Sequence, residues 1–226
     1  NSVEINTWIE QNLNIESKNK SVYTLKKDMI IVKFNNKNNG EKNTFIINYD
    51  IFKTIPYFEF LLENITCPII LDADGLNCIA PCIDIIKNTR ASIIVTPHPA
   101  EMARLLSITT AEVLKDRLSC AIKLSTELGI TVVAKGAPTI IAGESGFCYL
   151  NTTGNAGLSR GGSGDVLTGM IGSFVAQGIS PTDAAVAGVY LHGLAADHVA
   201  EKLSMQGMLP TDVIAELPLV FKQMNR

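Results

Sequence analysis

The chain has 226 residues, enough for one α/β domain with a sizeable core or for such a domain plus an appendage. Hydrophobic residues make up 46% and charged residues 18%, which excludes a disordered chain. A formal net charge of −3 gives no broad basic surface, so neither nucleic acid nor a membrane is an expected partner.

The chain opens Asn1-Ser2-Val3, with no Met and no basic region leading into an apolar run. It therefore reads as a fragment or processed form without a signal peptide. Its longest weakly polar run, residues 184–196, contains His192 and is shorter than the roughly 20 residues that span a bilayer. A soluble, cytoplasmic protein is expected. Cys67, Cys78, Cys82, Cys120 and Cys148 are odd in number and lack C-x-x-C spacing, the pattern of buried thiols in a reducing compartment. No His or second cysteine pair completes a zinc site around Cys78 and Cys82, and no metal ligand set is assigned.

Residues 1–55 are rich in Asn and Lys and form an atypical segment expected to lie on the core of a domain spanning 56–226. Within it, residues 7–13 suit a short helix, and the apolar runs 29–34 and 45–49 flank a polar turn as a hairpin would. From Pro56 the rhythm becomes α/β. A helix is expected at 57–63 and a buried strand at 68–71, with Asp72, Asp74 and Asn77 at the strand's carboxyl end. In open α/β sheets ligands bind at that end, although Asp and Asn also serve there as turn and cap residues.

The next strand, 91–95, leads into Thr96-Pro97-His98-Pro99-Ala100-Glu101 and a helix over 100–106. Two prolines fix the backbone on either side of His98. Apolar spacing predicts one amphipathic helix over 110–128. Strands at 130–134 and 140–142 flank Lys135-Gly136-Ala137-Pro138-Thr139. A lysine in such a turn is usually solvated, but with a close-approach glycine it also suits a polyphosphate.

A strand at 146–150 then enters Asn151-Thr152-Thr153-Gly154-Asn155-Ala156-Gly157-Leu158-Ser159-Arg160-Gly161-Gly162-Ser163-Gly164-Asp165, which opens a helix over 166–176. First-turn amides at such a loop lack intrahelical partners and, with the helix dipole, suit a phosphate or a developing oxyanion. Asp165 is either an N-terminal cap or a base that takes a proton from a hydroxyl beside the anion hole. A helix over 181–203 carries a face of Ala184, Ala185, Ala187, Gly188 and Ala195 that allows close approach of another helix or subunit. His192 and His198 do not share one helical face, so they read as core or surface residues. A last helix ends near Met224.

The string from Asn151 to Gly169 resembles the signature of the NAD(P)H-hydrate dehydratases, ribokinase-like enzymes that dehydrate hydrated NADH and NADPH with ADP or ATP. Leu71-Asp72-Ala73-Asp74-Gly75-Leu76-Asn77, Thr96-Pro97-His98-Pro99-Ala100-Glu101-Met102 and Lys135-Gly136-Ala137-Pro138-Thr139 agree in order and spacing, so the likeness covers roughly residues 60 to 226. The amino-terminal glycine turns usual in that family are absent from residues 1–55.

The resemblance implies a three-layer α/β/α sandwich with a mostly parallel sheet, its amino-terminal part atypical or truncated. It implies ADP or ATP as co-substrate with Mg2+, and NAD(P)H hydrate as substrate. Asp165 would act as base, with the amides of Gly162, Ser163 and Gly164 on the transferring phosphoryl group. Lys135, Gly136, Ala137, Pro138, Thr139, Asn155 and Gly164 would hold the nucleotide. His98, Asp72, Asn77 and Asp165 would face the hydrate, and Glu101 would support the His98 loop. A homo-oligomer, and an epimerase domain or partner, are further expectations. A ribokinase-type small-molecule kinase would use the same loop and base, and a nucleotide-binding module without turnover would keep the loop alone.

Overall fold

The structure, a computed structural model, describes residue 62, residues 64–224, and the backbone of three earlier strands at 22–25, 29–36 and 40–46. One eight-stranded sheet runs in chain order: β1 (Val22–Leu25), β2 (Met29–Asn36), β3 (Gly40–Ile46), β4 (Ile69–Leu71), β5 (Ile93–Val95), β6 (Thr131–Ala134), β7 (Ile140–Ala142) and β8 (Cys148–Leu150). β3, β4, β5 and β6 pair in parallel, and antiparallel hairpins flank them on both sides. The expected hairpin appears as β2–β3 with a shorter turn: β3 starts at Gly40 inside the expected polar turn, and of the second expected strand only Phe45 and Ile46 fall within it, residues 47–49 lying outside the described residues. β3 then joins the sheet against β4. The helix expected at 7–13 and most of that at 57–63 lie outside the described residues.

The helices are α1 (Asp74–Ile79), α2 (Pro99–Leu106), α3 (Thr110–Lys115), α4 (Arg117–Leu128), α5 (Ser163–Ala176), α6 (Pro181–Leu203) and α7 (Pro210–Met224). A 3-10 stretch, Ala80–Asn88, follows α1. Strand side chains alternate between two cores, as the two-residue period of a strand requires. Ile69, Leu71, Ile93, Val95 and Val132 face Leu76, Met102, Leu105, Ala121 and Leu124 on one side. Ile70, Ile94, Val133 and Ile141 face Leu167, Ile171, Val175, Ala184 and Val189 on the other. Each Ile or Leu fully enclosed in this way contributes roughly 1.5–3 kcal/mol. The result is helix, sheet and helix in three layers, with α7 closing the outer side of α5 and α6 through Met170, Leu191, Val199, Val213 and Val220.

Several boundaries differ from the sequence expectation: the strand expected at 146–150 is Cys148–Leu150, and the helix expected from 166 starts at Ser163, which places Asp165 in its first turn. The single helix expected over 110–128 is broken at Asp116, whose backbone (φ −150°, ψ 77°) is not helical. Its carboxylate accepts a hydrogen bond from the Ser119 N–H and starts α4 afresh, a local bond that competes with continuing the helix. Asp74 and Asn77, for which turn and cap roles were one of two readings, lie within α1, which starts after Ala73 takes a positive φ of 48°.

The small-residue face of α6 serves packing within the chain. A Cβ at Gly188 would lie 2.7 Å from Ile171 Cγ1, so α5 and α6 meet there almost backbone to backbone. No helix among the described residues is long and apolar enough to cross a membrane. Cys67 is buried and the other four cysteines are partly buried, with no disulfide among the described residues.

Candidate active site

Three adjacent parallel strands deliver three sequence-predicted residues to one end of the sheet. Asp72 follows β4, His98 follows the loop after β5, and Lys135 follows β6. Backbone bonds fix this loop cluster: Thr96 N–H donates to the Leu71 carbonyl at 3.1 Å, and Lys135 N–H donates to the Pro97 carbonyl at 2.9 Å. The carboxyl ends of parallel strands are where open α/β sheets bind ligands.

Lys135 and Asp72 form the centre. The Lys135 ammonium donates to Asp72 Oδ1 at 2.7 Å and lies 3.6 Å from Glu101 Oε2. Thr168 Oγ1, from α5, donates to Asp72 Oδ2 at 3.1 Å. Burial pushes the Asp72 carboxyl up, but the Lys135 charge and hydrogen bond, joined by hydrogen bonds from Thr96 and the Ala73 backbone, together bring it below the usual aspartate value. One ammonium thus answers two carboxylates, which would otherwise repel an incoming phosphate.

The mouth of α5 adjoins this pair. Gly162 (φ 92°) takes the left-handed conformation at the helix start and offers no side-chain cap. A Cβ at Gly164 would lie 3.4 Å from Asp72 Oδ2 and 3.8 Å from Lys135 Nζ, so glycine leaves the helix amides open beside the ion pair. Of the three amides expected to form the anion hole, that of Ser163 is already committed to the Arg160 carbonyl at 3.2 Å. The Gly164 and Asp165 N–H groups make no hydrogen bond among the described residues. Asp165 is exposed in the first turn, and its carboxylate makes none either, so the capping role open in the sequence is not the one it has here.

His98 begins α2 as its N-cap. Its Nδ1 accepts from the Ala100 and Glu101 N–H groups at 3.1 and 3.4 Å. Glu101, 5% exposed, accepts from the His98 N–H at 2.7 Å, closing a capping box. The expected support of the His98 loop by Glu101 is therefore visible as a bond.

The turn from Lys135 to Thr139 is tied by Thr139 Oγ1 to the Gly136 carbonyl and contains a cis Ala137–Pro138 bond. Arg117 Nη2 donates to the Ala134 and Pro138 carbonyls at 3.0 and 2.8 Å and so clamps this turn from α4.

Two expected site residues are held by other partners. Asn155 accepts from the Gly157 N–H at 2.9 Å and donates to Asp197 Oδ1 at 2.9 Å, while Gly154 N–H donates to Asp197 Oδ2 at 2.8 Å. Its amide therefore fixes the glycine-rich loop against α6. Asn77 donates to Asp74 at 3.3 Å and accepts from Arg104 at 2.8 Å, which ties α1 to α2.

Sequence reading missed Thr168, Arg117, Arg104 and Asp197. Thr168 had a signal, since it lies four residues after Gly164 and so shares its helical face. Arg117 had none, because only the fold brings α4 over the Lys135 turn.

A family model described as NAD(P)H-hydrate dehydratase matches residues 52–219. An ADP-dependent (S)-NAD(P)H-hydrate dehydratase of Neisseria meningitidis is 44% identical over 157 residues, covering 69% of this chain and 53% of the relative. A bifunctional NAD(P)H-hydrate repair enzyme of Escherichia coli is 44% identical over 156 residues, covering 69% of this chain and 30% of the relative. The chain thus spans about half, or less, of the length of these curated relatives. Among solved structures, the ADP/ATP-dependent NAD(P)H-hydrate dehydratase of Bacillus subtilis, co-crystallised with ATP and Mg2+, superposes with a TM-score of 0.64 at 34% identity. That match covers 72% of this chain and 57% of the other. A ribokinase-like superfamily protein of Enterococcus faecalis superposes with a TM-score of 0.58 at 28% identity, covering 73% and 58%. With the matched model reaching from residue 52 to residue 219, the chain belongs to the NAD(P)H-hydrate dehydratase family.

Proposed function

We propose that this chain carries the ADP- or ATP-dependent dehydration of hydrated NADH and NADPH. The observation that carries this reading is the open mouth of α5, with unpartnered Gly164 and Asp165 amides, an uncapping Asp165 carboxylate, and the Lys135–Asp72 pair alongside. The named activities of the N. meningitidis and B. subtilis relatives support it.

In this mechanism the terminal phosphate of the nucleotide rests on the α5 amides, where the helix dipole favours negative charge. Asp165 takes the proton from the hydroxyl of the hydrated nicotinamide ring, and that oxygen attacks the phosphoryl group as the nucleotide leaves. The phosphorylated hydroxyl then departs as phosphate, pushed by the ring nitrogen's electron pair, and the adjacent ring carbon gives up a proton to solvent to restore the double bond of the dihydronicotinamide. The chain's contribution is positioning and charge stabilisation. The turn from Lys135 to Thr139 holds the nucleotide, and the His98 loop holds the hydrate.

Among the described residues no group of three His, Cys, Asp or Glu side chains could hold a metal ion. A magnesium ion held on the nucleotide's phosphates would supply charge neutralisation, and Asp72 would help orient it. We read the segment at 1–55 as an atypical amino-terminal part packed on the core of the domain at 56–226, its β3 extending that domain's sheet, in a cytoplasmic, self-associating protein. The two-function relatives support an epimerase domain or partner.

The test is an assay of the purified chain with hydrated NADH and either ADP or ATP. Recovery of NADH absorbance supports the dehydratase. A stable phosphoester would indicate a ribokinase-type kinase, and nucleotide binding without turnover a binding module.

A further inference from the structure

We propose that Glu101 is the positioning residue that couples the two ligand sites, its one buried carboxylate holding both the His98 loop and the Lys135 ammonium. The inference rests on the dehydratase reading for which ligand lies on which side, but not for the contacts themselves.

The chain contains its own comparison. Thr109 and Glu112 form a second capping box at the start of α3, with the same reciprocal bonds. Glu112 is exposed and touches no cation among the described residues. Glu101 is 5% exposed, and its Oε2 lies 2.7 Å from the His98 N–H and 3.6 Å from Lys135 Nζ. Its Oε1 faces His98 Nε2 at 3.3 Å. A helix start alone needs no burial and no second cation, so Glu101 has a job that Glu112 lacks.

The contacts also set the imidazole. Because His98 Nδ1 accepts from two amides, a neutral ring carries its proton on Nε2, the nitrogen facing Glu101. Any movement of Lys135 toward a phosphate changes the field on Glu101, and through it the orientation of His98. Binding on one side is thereby coupled to order on the other, and the coupling is reciprocal.

The experiment compares Glu101→Gln with Glu112→Gln. Both should lose thermal stability, Glu101→Gln more, because it also gives up a buried contact with Lys135. Only Glu101→Gln should raise KM for nucleotide and for hydrate together, by about tenfold, the loss of one charge-assisted contact. Only that variant should shift the His98 side-chain nitrogen signals, recorded by NMR at alkaline pH in the ligand-free protein. Kinetics and nitrogen signals in Glu101→Gln that match those of Glu112→Gln would overturn the proposal.

If Glu101→Gln does not fold, Lys135→Gln serves instead. It should still shift the His98 nitrogens, although no hydrogen bond joins Lys135 to that ring, and unchanged signals count against the coupling. If the wild type converts no hydrate, the dehydratase reading fails on its own, while the nitrogen signals and calorimetric nucleotide affinity still decide the role of Glu101.

Discussion

Lys135 donates to Asp72 at 2.7 Å in a largely buried pair, and this contact leads the forces that oppose the effect of burial on the aspartate. Burial raises the Asp72 pKa; the lysine, with hydrogen bonds from Thr96 and the Ala73 backbone, brings it below its ordinary value. A carboxylate with a depressed folded pKa stabilises the protein above its unfolded value, and that contribution is lost as pH falls through the folded value. Lys135→Met should remove the main opposition to burial, cost about 3–5 kcal/mol near neutral pH, and flatten the fall of stability on the acid side. Urea titrations at several pH values check this, and an unchanged acid limb would show that the pair is not what holds Asp72 ionised.

Gly164 separates binding from stability. Its position in the first turn of α5 accepts a Cβ at 3.4 Å from Asp72 Oδ2, an ordinary contact. Gly164→Ala should therefore leave stability unchanged or raise it by about 0.5–1 kcal/mol. The added methyl would stand where the phosphate approaches the amides, so nucleotide affinity should fall by about tenfold or more. Thermal unfolding beside calorimetry with ADP makes the comparison, and equal affinity would remove the phosphate from this helix mouth.

Gly136 tests the clamp on the turn proposed to hold the nucleotide. Its φ of 152° is strained for any other residue, and a Cβ would lie 2.4 Å from Arg117 Nη2. Arg117 could swing away only by giving up the Ala134 and Pro138 carbonyls. Gly136→Ala should cost about 2 kcal/mol and weaken nucleotide binding together. Denaturant unfolding and calorimetry on the same variant would show both losses; a stable variant with intact affinity contradicts the clamp.

Much of this site was legible because its residues sit at chain positions with a fixed geometric meaning. Asp72, His98 and Lys135 each follow an apolar run, and parallel strands place such residues side by side. Gly162 and Gly164 announced an open helix start. What was hidden came from contacts between distant elements. Nothing local says that Arg117 crosses to the Lys135 turn or that Asp197 grips the loop at Gly154 and Asn155. The break at Asp116 was hidden too, because the apolar period continues through it and only the side chain's bond to Ser119 ends the first helix.

His192 gives a pH signature independent of the site. It is 6% exposed, its Nε2 has no partner among the described residues, and burial pushes its pKa down to about 4. The folded protein keeps it neutral while the unfolded chain protonates it near its usual value of 6.5. Stability from this source is full above that value and falls as pH drops toward 4. Between about pH 7 and about pH 5 the loss should be about 2 kcal/mol. His192→Leu should flatten that slope in urea unfolding, and a slope equal to the wild type would mean that the ring protonates equally in both states.

If Asp165 is the base at a phosphate-binding helix mouth, single-turnover dehydration of hydrated NADH by the wild type and Asp165→Asn, with nucleotide affinity measured in parallel, shows it. Asp165→Asn should bind nucleotide about as well as the wild type and turn over about 10²–10⁴-fold more slowly. An Asp165→Asn protein that restores NADH as fast as the wild type would contradict that role.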